Sequence, residues 1–280
     1  MKFKIRPRVV VGMLLFVVAP RFTAQPLLAD SPSGPRQSPQ SNPGARPPLS
    51  PKEMQEERAK IFMAEKRYED GIQAYEELLK SEPKSAVYLN MVGIAYLDLS
   101  NFDQARKYFQ RSVKADKRYS SAVNNLGMVY YHQKNFRRAI REYEKAVKID
   151  PRQAGTHVNL GFAYYNSNKY ELAAAEFGQA IELDPLVFQR NARVGTMVED
   201  RSVTNHGLFF FTMARIYAQK TDAAHCAEYL RKSFDEGYKD IAKAKTDPAF
   251  KTVLNDPDVQ AVFALVSPVE QKDSASQPGA

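Results

Sequence analysis

A single internal period governs this chain. Pro83, Lys117, Pro151 and Pro185 stand 34 residues apart, and the positions upstream of them repeat with the same step. Twelve positions earlier lie Gly71, Ala105, Ala139 and Ala173, and eight earlier lie Tyr75, Phe109, Tyr143 and Phe177. Twenty-four earlier lie Ala59, Gly93, Gly127 and Gly161, and twenty-one earlier Phe62, Tyr96, Tyr130 and Tyr164. A unit this short cannot enclose a core by itself, so each copy must bury its apolar face against the next.

The columns have packing reasons when the unit is read as two antiparallel helices. Gly93, Gly127 and Gly161 on the first helix then face Ala105, Ala139 and Ala173 on the second, which lets the backbones approach closely. Tyr96, Tyr130 and Tyr164 lie one turn beyond the glycines on the same face, while Phe109, Tyr143 and Phe177 are expected to project toward the next unit. Ser100-Asn101, Lys134-Asn135 and Asn168-Lys169 mark the turns within units. Asp150-Pro151 and Asp184-Pro185 close units, because Pro disfavours helix in the residue before it.

These columns resemble the tetratricopeptide repeat, the 34-residue helix-turn-helix family. The resemblance covers Ser120 to Gln153, Ala154 to Val187, Ala86 to Tyr119, where Lys117 replaces the closing Pro, and Lys52 to Ser85, where Ala59 and Gly71 blur the small positions. The family's Trp is absent. The resemblance implies an all-α solenoid, a right-handed superhelix of antiparallel helix pairs whose first helices line the concave side. A fifth unit is legible at 207–240, with Ala214, Tyr217, Cys226 and Leu230 in the four columns; the small-residue slot gives Cys226 a structural reading. A competing register starts at Phe188 and places Gly195, Gly207 and Phe211 there instead, but leaves Tyr217 and the Lys220 to Asp222 turn unexplained. Residues 241–266 contain Asp247-Pro248 and Asp256-Pro257, two helix starts read as capping helices over the last apolar face.

The remaining segments differ in character. Residues 1–29 hold Lys2, Lys4, Arg6, Arg8, Arg21 and no acid, with an apolar run from Val9 to Ala19. Eleven apolar residues are too few to span roughly 30 Å of hydrocarbon as a helix, so the segment reads as a signal peptide cleaved after Ala24 or Ala29, with an uncleaved anchor as the alternative. Residues 30–51 carry seven prolines among Ser, Gly, Gln and Arg and read as an extended, disordered linker. The domain order expected is therefore 1–29 signal peptide, 30–51 linker, 52–187 four repeats, 188–206 insertion, 207–240 fifth repeat, 241–266 caps and 267–280 disordered tail. The expected location is periplasmic or secreted, and one Cys cannot form an internal disulfide there.

The first helices show a second face that packing within the unit does not use. It reads Asn90, Ile94 and Leu97, then Asn124, Met128 and Tyr131, then Val158, Phe162 and Tyr165, flanked by Asn125 and Asn159 one repeat apart. Free helical faces ordinarily carry charge. This one is therefore expected to form an open groove for an extended peptide, with Asn gripping the backbone and apolar neighbours supplying pockets. Asn125 and Asn159 resemble the Asn ladder of peptide-binding members of the family, broken by Met91 in the preceding unit. The alternative is a structural or self-associating module of a cell-envelope complex, its groove covered by its own chain. The family's carboxylate clamp is missing, since Glu56, Lys60, Asn125, Gly155 and Asn159 occupy its places.

Enzymatic chemistry finds no support. The four His residues, at 132, 157, 206 and 225, form no metal-ligand pair on one helix face, and no phosphate loop or nucleophile elbow occurs. No cofactor or metal is expected. The formal charge of +8 falls to +3 once the five basic residues of 1–29 are removed, too little to argue a nucleic-acid surface. The expectation is a non-enzymatic adaptor for a peptide or protein, with no membrane span in the mature chain.

Overall fold

The computed structural model describes residues 48–188 and 205–266. The expected signal segment, the tail and most of the linker and insertion lie outside the described residues. Among those described, the structure is all α, with eleven α-helices and no strand. Five antiparallel pairs follow one another: α1 (Pro51–Ala64) with α2 (Tyr68–Ser81), α3 (Ala86–Asp98) with α4 (Phe102–Ala115), α5 (Ser120–His132) with α6 (Phe136–Ile149), α7 (Ala154–Tyr165) with α8 (Tyr170–Leu183), and α9 (His206–Gln219) with α10 (Ala223–Asp235). Two short 3-10 segments, Ile241–Lys245 and Pro248–Phe250, and α11 (Pro257–Val266) complete the order. No described helix is long and apolar enough to cross a membrane.

The turns explain the register. Lys66, Ser100, Lys134, Asn168 and Thr221 all adopt left-handed backbone, with φ between 57° and 61°. The first four are 34 residues apart, and Thr221 follows after a further 34 plus the 19-residue insertion. Each ends a first helix in the same way: Ser100 N–H bonds to Leu97 O and Asn101 N–H to Tyr96 O, both at 2.8 Å, and the other four turns repeat the pattern. Asn101, Asn135 and Asp222 then cap the following helix by accepting from a backbone N–H three residues on. The pair α9/α10 thus follows the register of Gly207, and the one starting at Phe188 is not adopted.

Units close on Asp116, Asp150 and Asp184, each extended at φ near −140°. Their carboxylates accept the backbone N–H of Arg118, Arg152 and Leu186 at 2.8–3.1 Å. Because Asp116 makes this turn without a following Pro, Lys117 is tolerated in that column.

The packing within a pair differs from the sequence expectation. A β-carbon added to Gly93, Gly127 or Gly161 would lie 2.4–2.7 Å from the ring of Phe109, Tyr143 or Phe177. The aromatic rings therefore press on the glycine of their own unit instead of reaching only for the next. The physical reason is that a bare helix backbone accepts a ring more closely than it accepts a methyl group. All three rings are fully buried. At the end of the array, Phe250 packs on Phe211 with ring centroids 5.7 Å apart, and Val259, Val262 and Phe263 of α11 are buried.

Candidate functional site

The residues expected to line an open groove come from α3, α5 and α7, whose consecutive packing brings them together. The structure buries every one of them: Asn90, Ile94 and Leu97 on α3, Asn124, Asn125, Met128 and Tyr131 on α5, and Asn159, Phe162 and Tyr165 on α7. Asn125 and Asn159 are 0% exposed. This corrects the expectation of a free face. A face that packing within a unit leaves unused is used between units, where α3, α5 and α7 lie against one another.

The polar side chains in this seam bond to each other. Asn159 Nδ2 donates to Asn124 Oδ1 at 2.9 Å, and Asn124 Nδ2 to Asn125 Oδ1 at 3.2 Å. Asn125 Nδ2 donates to Asn90 Oδ1 at 3.0 Å, and Asn90 Nδ2 reaches the Tyr119 hydroxyl at 3.5 Å. Two columns, 90/124 and 125/159, thus close like a zip, each contact between helices stepping back 35 residues. An amide carries both donor and acceptor, so neighbouring amides can bond to one another along the row. Burial raises the Tyr119 phenol above its ordinary pKa, which keeps that terminal hydroxyl protonated.

The apolar residues are covered from the fifth unit. Phe209 of α9 stacks on Phe162 with centroids 5.6 Å apart and meets Tyr165 edge-on at 5.8 Å. The Tyr165 hydroxyl donates to Asn205 O at 2.9 Å. Tyr131 meets Phe136 edge-on at 5.3 Å and accepts from Asn166 Nδ2 at 2.6 Å.

Of the histidines, His157 sits in the core of the α7/α8 pair. Its Nδ1 is 2.7 Å from Glu176 Oε2 and its Nε2 is 3.0 Å from Pro151 O. Both neighbours are acceptors, so the doubly protonated ring fits best; the Glu176 hydrogen bond outweighs burial and raises the pKa. Cys226 is buried, and burial pushes its thiol up to about 12, the setting of an unreactive filler. Among the described residues no three His, Cys, Asp or Glu side chains converge as metal ligands.

One feature escaped the sequence reading. Every exposed position on α6 is basic, namely Arg137, Arg138, Arg141, Lys145 and Lys148. The same five positions on α8, one repeat later, hold Glu171, Leu172, Ala175, Gln179 and Glu182. Residues 102–152 carry thirteen Lys or Arg against five Asp or Glu, an excess equal to the formal charge of the whole chain.

Residues 90–154 and 154–186 each match a family model described as tetratricopeptide repeat. No curated protein matches the chain. Similar solved structures include MamA residues 41-end from Desulfovibrio magneticus RS-1, at 18% identity over 66% of this chain and 94% of that one, TM-score 0.47. Another is TTC0263, a thermophilic tetratricopeptide repeat protein of Thermus thermophilus, at 17% identity over 72% and 99%, TM-score 0.47. A third is YrrB, described as a tetratricopeptide repeat protein with an unusual peptide-binding site, at 18% identity over 68% and 89%, TM-score 0.43.

Proposed function

We infer that this chain, a tetratricopeptide repeat protein, is an exported, non-enzymatic scaffold that holds protein partners on its outer faces while its first-helix seam serves packing. Tetratricopeptide modules are in general protein-interaction scaffolds and typically carry no catalysis. The observation that carries the outer-face reading is the buried row from Asn159 through Asn124 and Asn125 to Asn90, in which amides meet amides where an open groove would offer them to a ligand. Export is supported by the basic stretch Lys2 to Arg8 followed by the apolar run Val9 to Ala19.

Cross-linking in the native compartment, followed by mass spectrometry, tests this reading on wild type and on the Asn125→Ala/Asn159→Ala variant. The folded variant is expected to capture the same partners as wild type. Capture lost with the fold intact would move the site to the seam; no specific partner for wild type would remove the scaffold reading. Recovery of the full-length protein in the cytoplasmic fraction alone would remove export.

A further inference from the structure

We propose that the outer face of α6, extended by α4, is a docking strip for an acidic polypeptide segment rich in Asp or Glu. The proposal rests on the scaffold reading and names the chemistry of the partner. At 100° per residue, Arg137, Arg138, Arg141, Lys145 and Lys148 fall within an arc of about 100° along one side of the helix. Arg137 and Lys148 are separated by a rise of roughly 17 Å. Lys107, Arg111 and Lys114 take the corresponding positions on α4 and are exposed as well.

Packing does not demand this charge, because α8 fills the same exposed positions with Glu, Leu, Ala and Gln in the same fold. Neither does helix stability. Arg137 and Arg138 occupy the first turn of α6, which has no acidic residue, and cations at that end oppose the helix dipole. The acids on α6 are already engaged: Glu144 accepts from the Tyr164 hydroxyl at 2.7 Å, and Glu142 pairs with Lys145 at 2.9 Å. Arg137, Arg141 and Lys148 remain directed at solvent, with no carboxylate within ion-pair distance among the described residues.

The chemistry of the strip favours carboxylates on a peptide over the other polyanions. Successive charges one helical turn apart, at about 6 Å, come near the 6.6–6.8 Å between alternate side chains of an extended chain. Guanidinium forks take carboxylates in paired hydrogen bonds. No large apolar side chain is exposed between 102 and 152 to enter a bilayer. Tyr108 and Tyr130 beside the strip already face Arg111 and Arg138 at 4.9 and 5.7 Å, and Tyr143 of α6 is buried, so none of these three offers a free ring to a nucleobase.

The test is fluorescence anisotropy of a labelled deca-glutamate peptide with the full chain at about 0.15 M salt. The variant Arg137→Glu/Arg141→Ala/Lys148→Glu installs the residues that α8 carries in those columns, and Lys84→Glu/Lys239→Glu/Lys251→Ala makes the same change in net charge elsewhere. Wild type is expected to bind, the α6 variant to bind at least about tenfold more weakly, and the control as wild type. Arg141→Ala alone keeps the test open should the triple variant not fold. The proposal is overturned by no binding to wild type, by equal weakening in both variants, or by tighter binding of phosphatidylglycerol vesicles or a single-stranded oligonucleotide through the same residues. A partner captured by cross-linking without deca-glutamate binding would leave the scaffold reading standing and remove this face from it.

Discussion

The ring of Tyr143 lies where a β-carbon on Gly127 would stand, 2.7 Å from that position. Contacts under 3.0 Å are not available to real β-carbons, and the obstacle here is a rigid ring that is itself fully buried. Gly127→Ala is therefore expected to destabilise by about 1–3 kcal/mol through overpacking, despite the better helix propensity of Ala. Urea unfolding measures this. A midpoint equal to or above that of wild type would show that α5 and α6 move apart without cost.

The same pair supplies a prediction of opposite sign. The Tyr143 hydroxyl is buried without a hydrogen-bond partner among the described residues, and burial raises its pKa well above the ordinary value. Phe109 and Phe177 fill the corresponding place in the neighbouring units. Tyr143→Phe removes an unsatisfied group and keeps the ring, so stability should rise by about 1 kcal/mol. A lowered melting temperature would mean that the hydroxyl has a partner in solution.

In the seam, Asn125 both donates to Asn90 and accepts from Asn124. Asn125→Ala removes one hydrogen bond from each of these buried neighbours, for an expected cost of about 1–3 kcal/mol. A double-mutant cycle with Asn90→Ala should return a coupling of about 0.5 kcal/mol or more. Additive effects would show that the amides are solvated, as an open groove requires.

The repeat register was legible because small and aromatic residues recur for a local reason, ring on backbone, that every unit must satisfy. The fate of the first-helix face was not, since Asn, Met and Phe at positions 125, 128 and 162 suit a seam or a groove equally. The choice depends on how units pack against each other, and no single unit encodes that distance. The turns were legible, but their left-handed backbone was not: Lys66, Ser100, Lys134 and Thr221 are poor left-handed residues, and only Asn168 belongs to a type that favours such backbone. The basic strip on α6 was present in the letters, but the sum of +3 left after residues 1–29 are removed set it against acidic positions elsewhere.

Thr221 offers a stabilising substitution. It is exposed, β-branched and held at φ 61°, a region that costs such residues roughly 1–2 kcal/mol. Thr221→Gly should release most of that strain, offset in part by the added entropy of the unfolded chain. The net expectation is a melting temperature higher by about 2–4 °C. No change, or a fall, would indicate that the Thr side chain contributes contacts that compensate its backbone.

His157 makes stability depend on pH with a definite sign. Its pKa is raised in the folded protein, chiefly by the hydrogen bond to Glu176 and further by the Pro151 carbonyl. The folded state therefore binds the proton more tightly than the unfolded chain, so the contribution is complete below the unfolded pKa of about 6.5 and is lost as pH rises through the folded value. Above it, one ring nitrogen must present a lone pair to an acceptor. Comparing thermal melts of wild type and His157→Gln from pH 5.5 to 8.5 isolates the effect. The gap between them should be widest at the acid end and narrow as pH increases. A gap that is constant across the series would mean that the neutral ring is accommodated equally well.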